Sequence, residues 1–288
     1  MKLQLTGSVG RGGENRAADV KLVQALLNVH RRQQGLPPLP VDARPGADLD
    51  AAIARFQNEQ GVRVASGFVG TNSQTWSWLL DALAGARTTT TIMTPAKGRL
   101  TWEAEGQEGG RYHSRILHVP SAASGLTLGR GYDLRERSRA EVTRHLAAAG
   151  LPASTASLIA GAVRLTGSAA EQFIIDNDLL DFEISAGVQL KLFEMVYSDM
   201  EQDVIRICGK RDVVERYGIT DWAALDSRIR DTLVDLRFRG DYTGATRRHV
   251  QPPVVANDLN GFRQVMGDTG LWSAVPSDRF QRRVRYLS

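Results

Sequence analysis

From residue 99 on, one stretch of this 288-residue chain alternates as a strand does. It lies near 115–134 and ends in Thr127-Leu-Gly129-Arg-Gly131-Tyr-Asp133. After it, apolar residues recur at helical spacing to the C-terminus, with stops at Gly150-Leu-Pro152, Gly167, Gly187, Gly209, Gly240 and Gly244. Strand structure confined to one place within a helical chain predicts a mainly α, α+β fold. Within the run, Thr127, Gly129, Gly131 and Asp133 share one face, and Leu126, Leu128, Tyr132 and Leu134 share the other. The second face suits a core. The first places two glycines between two polar side chains, a low floor where a sugar ring could rest. Fully extended, Thr127 and Asp133 would stand roughly 20 Å apart. They can serve one bond only if the chain bends, and Gly129 or Gly131 is where it would.

Residues 1–84 read as a compact three-helix unit. Asp19 suits a helix cap ahead of Val20, Val23, Leu26 and Leu27, and the Gly35–Pro40 loop ends that helix. A second helix is predicted from Asp48 to Gln60, burying Leu49, Ala52, Ile53 and Phe56, with Gly61 as its stop. A third carries Thr75, Trp76, Leu79 and Leu80. Core packing accounts for Phe56, and packing and capping are the plainer reading of Gln57 and Trp76. Residues 85–98 hold a threonine run and Pro95 with no stable periodicity, and read as a linker. Residues 99–288 form the remaining domain.

Hydrophobic residues make up 42% and charged residues 24%, ordinary for a globular chain that buries a core. Cys208 is the one cysteine, so no internal disulfide is available. No CxxC or HExxH pair supports a metal site, and no cofactor is expected. The start shows no signal-peptide pattern and no run approaches a membrane span, so we expect synthesis in a cytoplasm and action reached by another route. The net charge of +4 and pI near 9.4 suit a polyanionic partner. The densest basic cluster is Arg279, Arg282, Arg283 and Arg285, which either touches an anionic surface or solubilises a final helix. Basic residues are otherwise scattered without a nucleic-acid motif, and nucleic acid is not expected as a partner.

Glu105 is expected to end a short helix from Leu100, with Gly106 as a left-handed stop. A carboxylate at the negative helix end, partly buried, is favoured in its protonated form, as a general acid requires. A surface glutamate among Glu103 and Glu108 is the plainer reading. Asp133 has a plain reading as well: Asp133-Leu-Arg-Glu136 matches a helix capping box, as does Ser138-Arg-Ala-Glu141.

Two resemblances rest on these residues. Asp19-Val20-x-x-Val23-Gln24-x-Leu26-Leu27-Asn28, Ala52-Ile53-x-x-Phe56-Gln57 and Gly70-x-x-x-x-Thr75-Trp76 resemble peptidoglycan-binding modules. Those modules often carry an Asp-Gly-x-Phe-Gly turn, where this chain has Asp42-Ala43-Arg44-Pro45-Gly46. Glu105-Gly106 followed by Thr127-x-Gly129-x-Gly131-Tyr132-Asp133 resembles phage-type lysozymes, in their pesticin-like branch. The commonest members place an Asp six residues before the Thr; here that position is Ser121, and Asp133 follows six residues after it, as in that branch. Further matches are Leu233-Val-Asp235-Leu-Arg237 and Pro276-Ser-Asp278-Arg279-Phe280.

The resemblance implies a modular muramidase cutting the β-1,4 bond after N-acetylmuramic acid. Glu105 would be the acid, Asp133 would orient water or stabilise sugar charge, and Thr127 would hold the water. Gly129, Gly131 and Tyr132 would line the substrate. The partner would be bacterial peptidoglycan, with an anionic outer-membrane surface as a further contact of the basic C-terminus, and the chain a monomer. A phage endolysin and an exported antibacterial effector, both acting in the periplasm, fit equally. A lytic transglycosylase and an inactive wall-binding protein are the alternatives.

Overall fold

The computed structural model describes residues 3–86, 92–109 and 113–288. Residues 87–91 of the expected linker lie outside them. In chain order the elements are β1 (Val9–Gly10), α1 (Ala17–Gln33), α2 (Ala47–Glu59), β2 (Phe68–Val69), α3 (Gln74–Gly85), α4 (Arg99–Ala104), β3 (Thr127–Leu128), β4 (Tyr132–Asp133), α5 (Arg139–Ala149), α6 (Ala153–Ile159), α7 (Gly167–Asp176), α8 (Ala186–Cys208), α9 (Arg211–Tyr217), α10 (Ser227–Arg239), α11 (Gly244–Val255), α12 (Leu259–Met266) and α13 (Ser277–Leu287). The fold is mainly α, with two small antiparallel sheets, β1–β2 and β3–β4.

The chain divides into two compact units. One takes residues to Ile92 and returns at Gln107–Gln189; the other takes Met93–Gly106 and Leu190–Ser288. Residues 3–86 and 107–189 share ion pairs within the first unit. Lys21 on α1 meets Asp176 on α7 at 2.6 Å, and Arg32 holds Asp178 at 2.8 Å and Asp181 at 2.7 Å.

In the first unit, α1 buries Val20, Val23, Leu26 and Leu27 against α2 and α3, with Ile53 and Phe56 wholly inside. Asp19 is not the cap; that position belongs to Arg16. Its buried carboxylate instead accepts from Thr6 N, Thr6 Oγ1 and Gly7 N at 2.8–2.9 Å, fastening the N-terminal segment to the helix. Gln57 acts in the same way on 66–75. Its amide donates to Phe68 O at 2.9 Å and Thr75 Oγ1 at 3.0 Å, and accepts from Gly67 N at 3.0 Å. The turn before α2 holds a glycine's conformation at a residue that is not glycine. Ala43 sits at φ 64°. Gln24 holds it there, accepting from Ala43 N at 3.1 Å and donating to Asp42 at 3.0 Å.

In the second unit, α10 runs through the core and packs against α4 and α13. Trp102, Phe193 and Tyr197 form one aromatic layer, with Trp102 edge-on to Phe193 at 5.0 Å. Val204, Leu233, Leu236, Val250, Phe262 and Met266 form the main cluster.

Two predictions follow from these contacts. Left-handed backbone costs a non-glycine residue about 1–2 kcal/mol, partly offset by glycine's greater unfolded freedom. Ala43→Gly should therefore raise stability by about 0.5–1 kcal/mol in denaturant titration; a loss would mean the methyl is packed. Burial opposes ionisation of Asp176, but hydrogen bonds from Lys21 and Gln172 outweigh it and hold the carboxyl below the usual aspartate range. Its stabilising effect is present above that range and is lost as pH falls through the lowered value. Asp176→Asn should be less stable than wild type at neutral pH, with the gap closing in acid; a gap independent of pH would contradict the assignment.

Candidate functional site

The run Thr127–Asp133 folds as a tight hairpin. Thr127 pairs with Asp133 and Leu128 with Tyr132. The bend is made at Gly129 and Gly131, at φ 55° and 89°, a conformation open to glycine and costly for other residues. Thr127 and Asp133 are therefore cross-strand neighbours on one face, with Cα atoms about 4.5–5.5 Å apart. On Thr127's other side, His118 N donates to Thr127 O at 3.1 Å and Thr127 N to His118 O at 2.8 Å. Thr127 is buried and its hydroxyl donates to Gly125 O at 3.2 Å.

Asp133 is half-buried. Its carboxylate accepts from Arg135 N at 2.7 Å and Gly125 N at 3.3 Å. It does not cap a helix. Ser138 caps α5 and forms the capping box with Glu141, because the chain needs residues 134–137 to leave the hairpin before helix begins. Gly125 is a site residue that sequence reasoning missed. A Cβ there would stand 2.4 Å from Asp133 Oδ1, so only glycine lets the backbone approach this carboxylate.

Tyr132 is not placed to touch substrate. It is wholly buried, with its hydroxyl 3.0 Å from His145 Nδ1 and Arg137 stacked on its ring at 4.4 Å. Strand alternation puts it on the core face opposite Asp133. The floor at Gly129 is also occupied: a Cβ there would stand 3.2 Å from Gln189 Cγ, so the missing side chain makes room for α8. The turn is held from below through Arg130, which is buried with its Nη2 3.6 Å from Glu108. Glu108 also accepts from Arg115 Nε at 2.8 Å and Gln189 Nε2 at 2.6 Å. His113 lies here as well. It is buried in this cluster, its Nδ1 accepting from Gly109 N at 2.7 Å, which leaves Nε2 to donate to Glu183 at 3.0 Å. His118 is half-buried.

Glu105 belongs to the other unit. It is itself the C-cap of α4, its N–H donating to Thr101 O, and Gly106 lacks the left-handed backbone expected of a stop. The Glu105 carboxylate is half-buried and accepts from Arg279 Nη1 at 2.6 Å. Arg279 in turn donates through Nη2 to Asp235 Oδ1 at 2.6 Å, and Arg283 Nε donates to Asp235 Oδ2 at 2.6 Å. Asp235 and Arg283 are essentially inaccessible. Burial opposes the charge on Arg279, but Asp235 and Glu105 outweigh it and hold the guanidinium more firmly protonated than usual.

Two of the four arginines read as a surface cluster thus point inward. Residues 279 and 283 are one turn apart on α13 and face α10, where Asp235 supplies the charge that draws them in. Sequence reasoning cited Asp235 and Arg279 only as motif matches, and Arg279 as surface charge, with no part in holding Glu105. Their signal was the i, i+4 spacing of Arg279 and Arg283 and an aspartate inside the apolar run Leu233–Leu236. Among the described residues, no group of three or more His, Cys, Asp or Glu side chains could hold a metal ion.

The profile of a family described as a domain of unknown function (DUF8812) matches residues 98–284. The chain belongs to the DUF8812 family. The DUF8812 region opens at Gly98, the N-cap of α4, and runs into α13. It contains Glu105, Thr127, Asp133, Asp235 and Arg279 and leaves α1–α3 outside it. No curated protein matches the chain.

Removing the Asp235 carboxylate would leave Arg279 with Glu105 alone and Arg283 with Asp241 alone. Breaking a buried ion pair from one side costs about 3–5 kcal/mol. Asp235→Ala should lose that much stability in urea titration; a loss below about 1 kcal/mol would mean the arginines find other partners.

Proposed function

We propose that this chain is a muramidase that hydrolyses the β-1,4 bond after N-acetylmuramic acid in bacterial peptidoglycan. The observation that carries the reading is the Thr127–Asp133 cross-strand pair, a hydroxyl beside an oriented carboxylate on one hairpin face. Glycoside hydrolysis needs an acid on the leaving oxygen and a second carboxylate that activates water or stabilises the oxocarbenium-like sugar. Glu105 serves as the acid. Arg279 engages its Oε1, so the transferred proton belongs on Oε2. The proton passes to the glycosidic oxygen as the bond to the anomeric carbon breaks. Water held by Asp133 and Thr127 adds to that carbon and gives its proton to Asp133. Asp235 and Arg279 position Glu105 and do not touch substrate. The helices of 3–86, which resemble wall-binding modules, keep the enzyme on its insoluble polymer and raise its local concentration there.

Asp133 favours hydrolysis over transglycosylation, since the latter closes an anhydro ring and needs no water-orienting carboxylate. Among the described residues no helix is long and apolar enough to cross a membrane. Both an endolysin and an exported effector are compatible with that.

Turbidity loss on outer-membrane-permeabilised Gram-negative cells tests the reading. Positioned acid–base groups contribute about 10²–10⁴-fold, so Glu105→Gln and Asp133→Asn should each lose at least about 100-fold with unchanged circular dichroism. Gly125→Ala should lose activity as well, through displacement of the intact Asp133 carboxylate. Released muropeptides should carry reducing ends by mass spectrometry. Full lysis by Glu105→Gln refutes the assignment, and anhydro ends move it to a transglycosylase.

A further inference from the structure

A cavity of about 280 Å³ opens between α4 and α13, walled by Arg99, Leu100, Glu103, Arg282, Arg285 and Tyr286. Three guanidiniums face one carboxylate there, leaving the wall two charges positive. Glu103 is shared, accepting from Arg99 Nε at 2.8 Å and Arg282 Nη1 at 3.4 Å. Arg285 is exposed and makes no side-chain ion pair among the described residues. Tyr286 adds an apolar wall, since its hydroxyl is committed to Asp231 at 2.5 Å. Burial, followed by that hydrogen bond and the Asp231 charge, pushes its ionisation well above the ordinary tyrosine range, so the ring stays neutral.

Two of the lining residues neighbour the Glu105–Arg279 pair along their helices. Glu103 precedes Glu105 by two residues, and Arg282 follows Arg279 by three on the same helix. A rise of 1.5 Å per residue puts it roughly 5 Å further along α13. A group bound here therefore belongs to the same polymer strand as the bond being cut, near its muramic acid. That sugar bears a peptide stem ending in carboxylates, and guanidinium forks bind carboxylates well. A lipid surface fits less well. Interfacial binding needs apolar side chains presented to the bilayer, and neither α4 nor α13 exposes a large one.

We propose that this cavity is a carboxylate subsite for the peptide stem of the muramic acid at the cleavage point, through Arg99, Arg282 and Arg285. The inference rests on the muramidase reading and supplies its substrate preference: stem-bearing glycan over bare glycan. The charges act on binding, so the effect falls on KM more than on kcat.

The test compares wild type with Arg99→Gln/Arg285→Gln, two exposed changes that leave the Asp235 network intact. Substrates are intact peptidoglycan and the same glycan stripped of stems by an amidase. Direct binding of the free stem tripeptide is measured by calorimetry, and sedimentation with phosphatidylglycerol vesicles gives a third readout. The expected result is an approximately tenfold fall in kcat/KM on stem-bearing glycan, carried by KM, with little change on stripped glycan and weakened tripeptide binding. Equal loss on both glycans, no loss on either, or loss confined to vesicle binding overturns the subsite. Should wild type cut neither glycan, the muramidase reading falls, and the tripeptide decides the subsite by itself: binding abolished in the double variant sustains it, and no binding by wild type ends it.

Discussion

Asp235 is the charge around which the second unit is arranged. It is fully buried on α10 and takes one oxygen to Arg279 and the other to Arg283. An unpaired carboxylate in that position would be untenable, so α13 must bring both guanidiniums inward. Arg279 then has donors to spare, and Nη1 reaches Glu105. A single buried aspartate thus fixes the final helix and the end of α4 together. The arrangement gives the acid candidate a set position from groups that stay out of the reaction. It also explains why a six-residue helix, too short to be stable alone, holds its terminal side chain in place.

The hairpin is the complementary case, where position comes from backbone. Thr127 and Asp133 lie side by side because Gly129 and Gly131 accept left-handed angles, and because Gly125 gives the Asp133 carboxylate room. Arg130 on Glu108, with Arg115 and Gln189, holds the turn from beneath. The two candidate segments are therefore supported differently, one by buried ion pairs and one by glycine geometry.

Much of the local structure was legible because it is encoded locally. The helices around Val20–Leu27 and Leu49–Phe56 follow from apolar spacing, and α2 starts at Ala47 where Asp48 was expected. The bend at the glycines and the Ser138–Glu141 capping box were likewise open to short-range reading. What escaped was long-range. Asp19 resembles a cap by position, yet its partners are thirteen and twelve residues upstream at Thr6 and Gly7. Arg279 and Arg283 look like solvated charge until Asp235, over forty positions earlier, is brought against them. The core face of Tyr132 was legible in the strand alternation, and only the resemblance set it against substrate. Nothing near His113 in sequence announces its partner Glu183.

The hairpin turn also limits how this chain can vary. Cross-strand pairing has a period of two, so one residue more or fewer between Leu128 and Tyr132 turns every following side chain to the opposite face. Asp133 would point into the space now filled by Tyr132, and the phenol would emerge beside Thr127. Substitutions around the loop alter the site by degrees, whereas a single insertion or deletion inverts it. Length variation among related chains should therefore be found on either side of this hairpin and not within it.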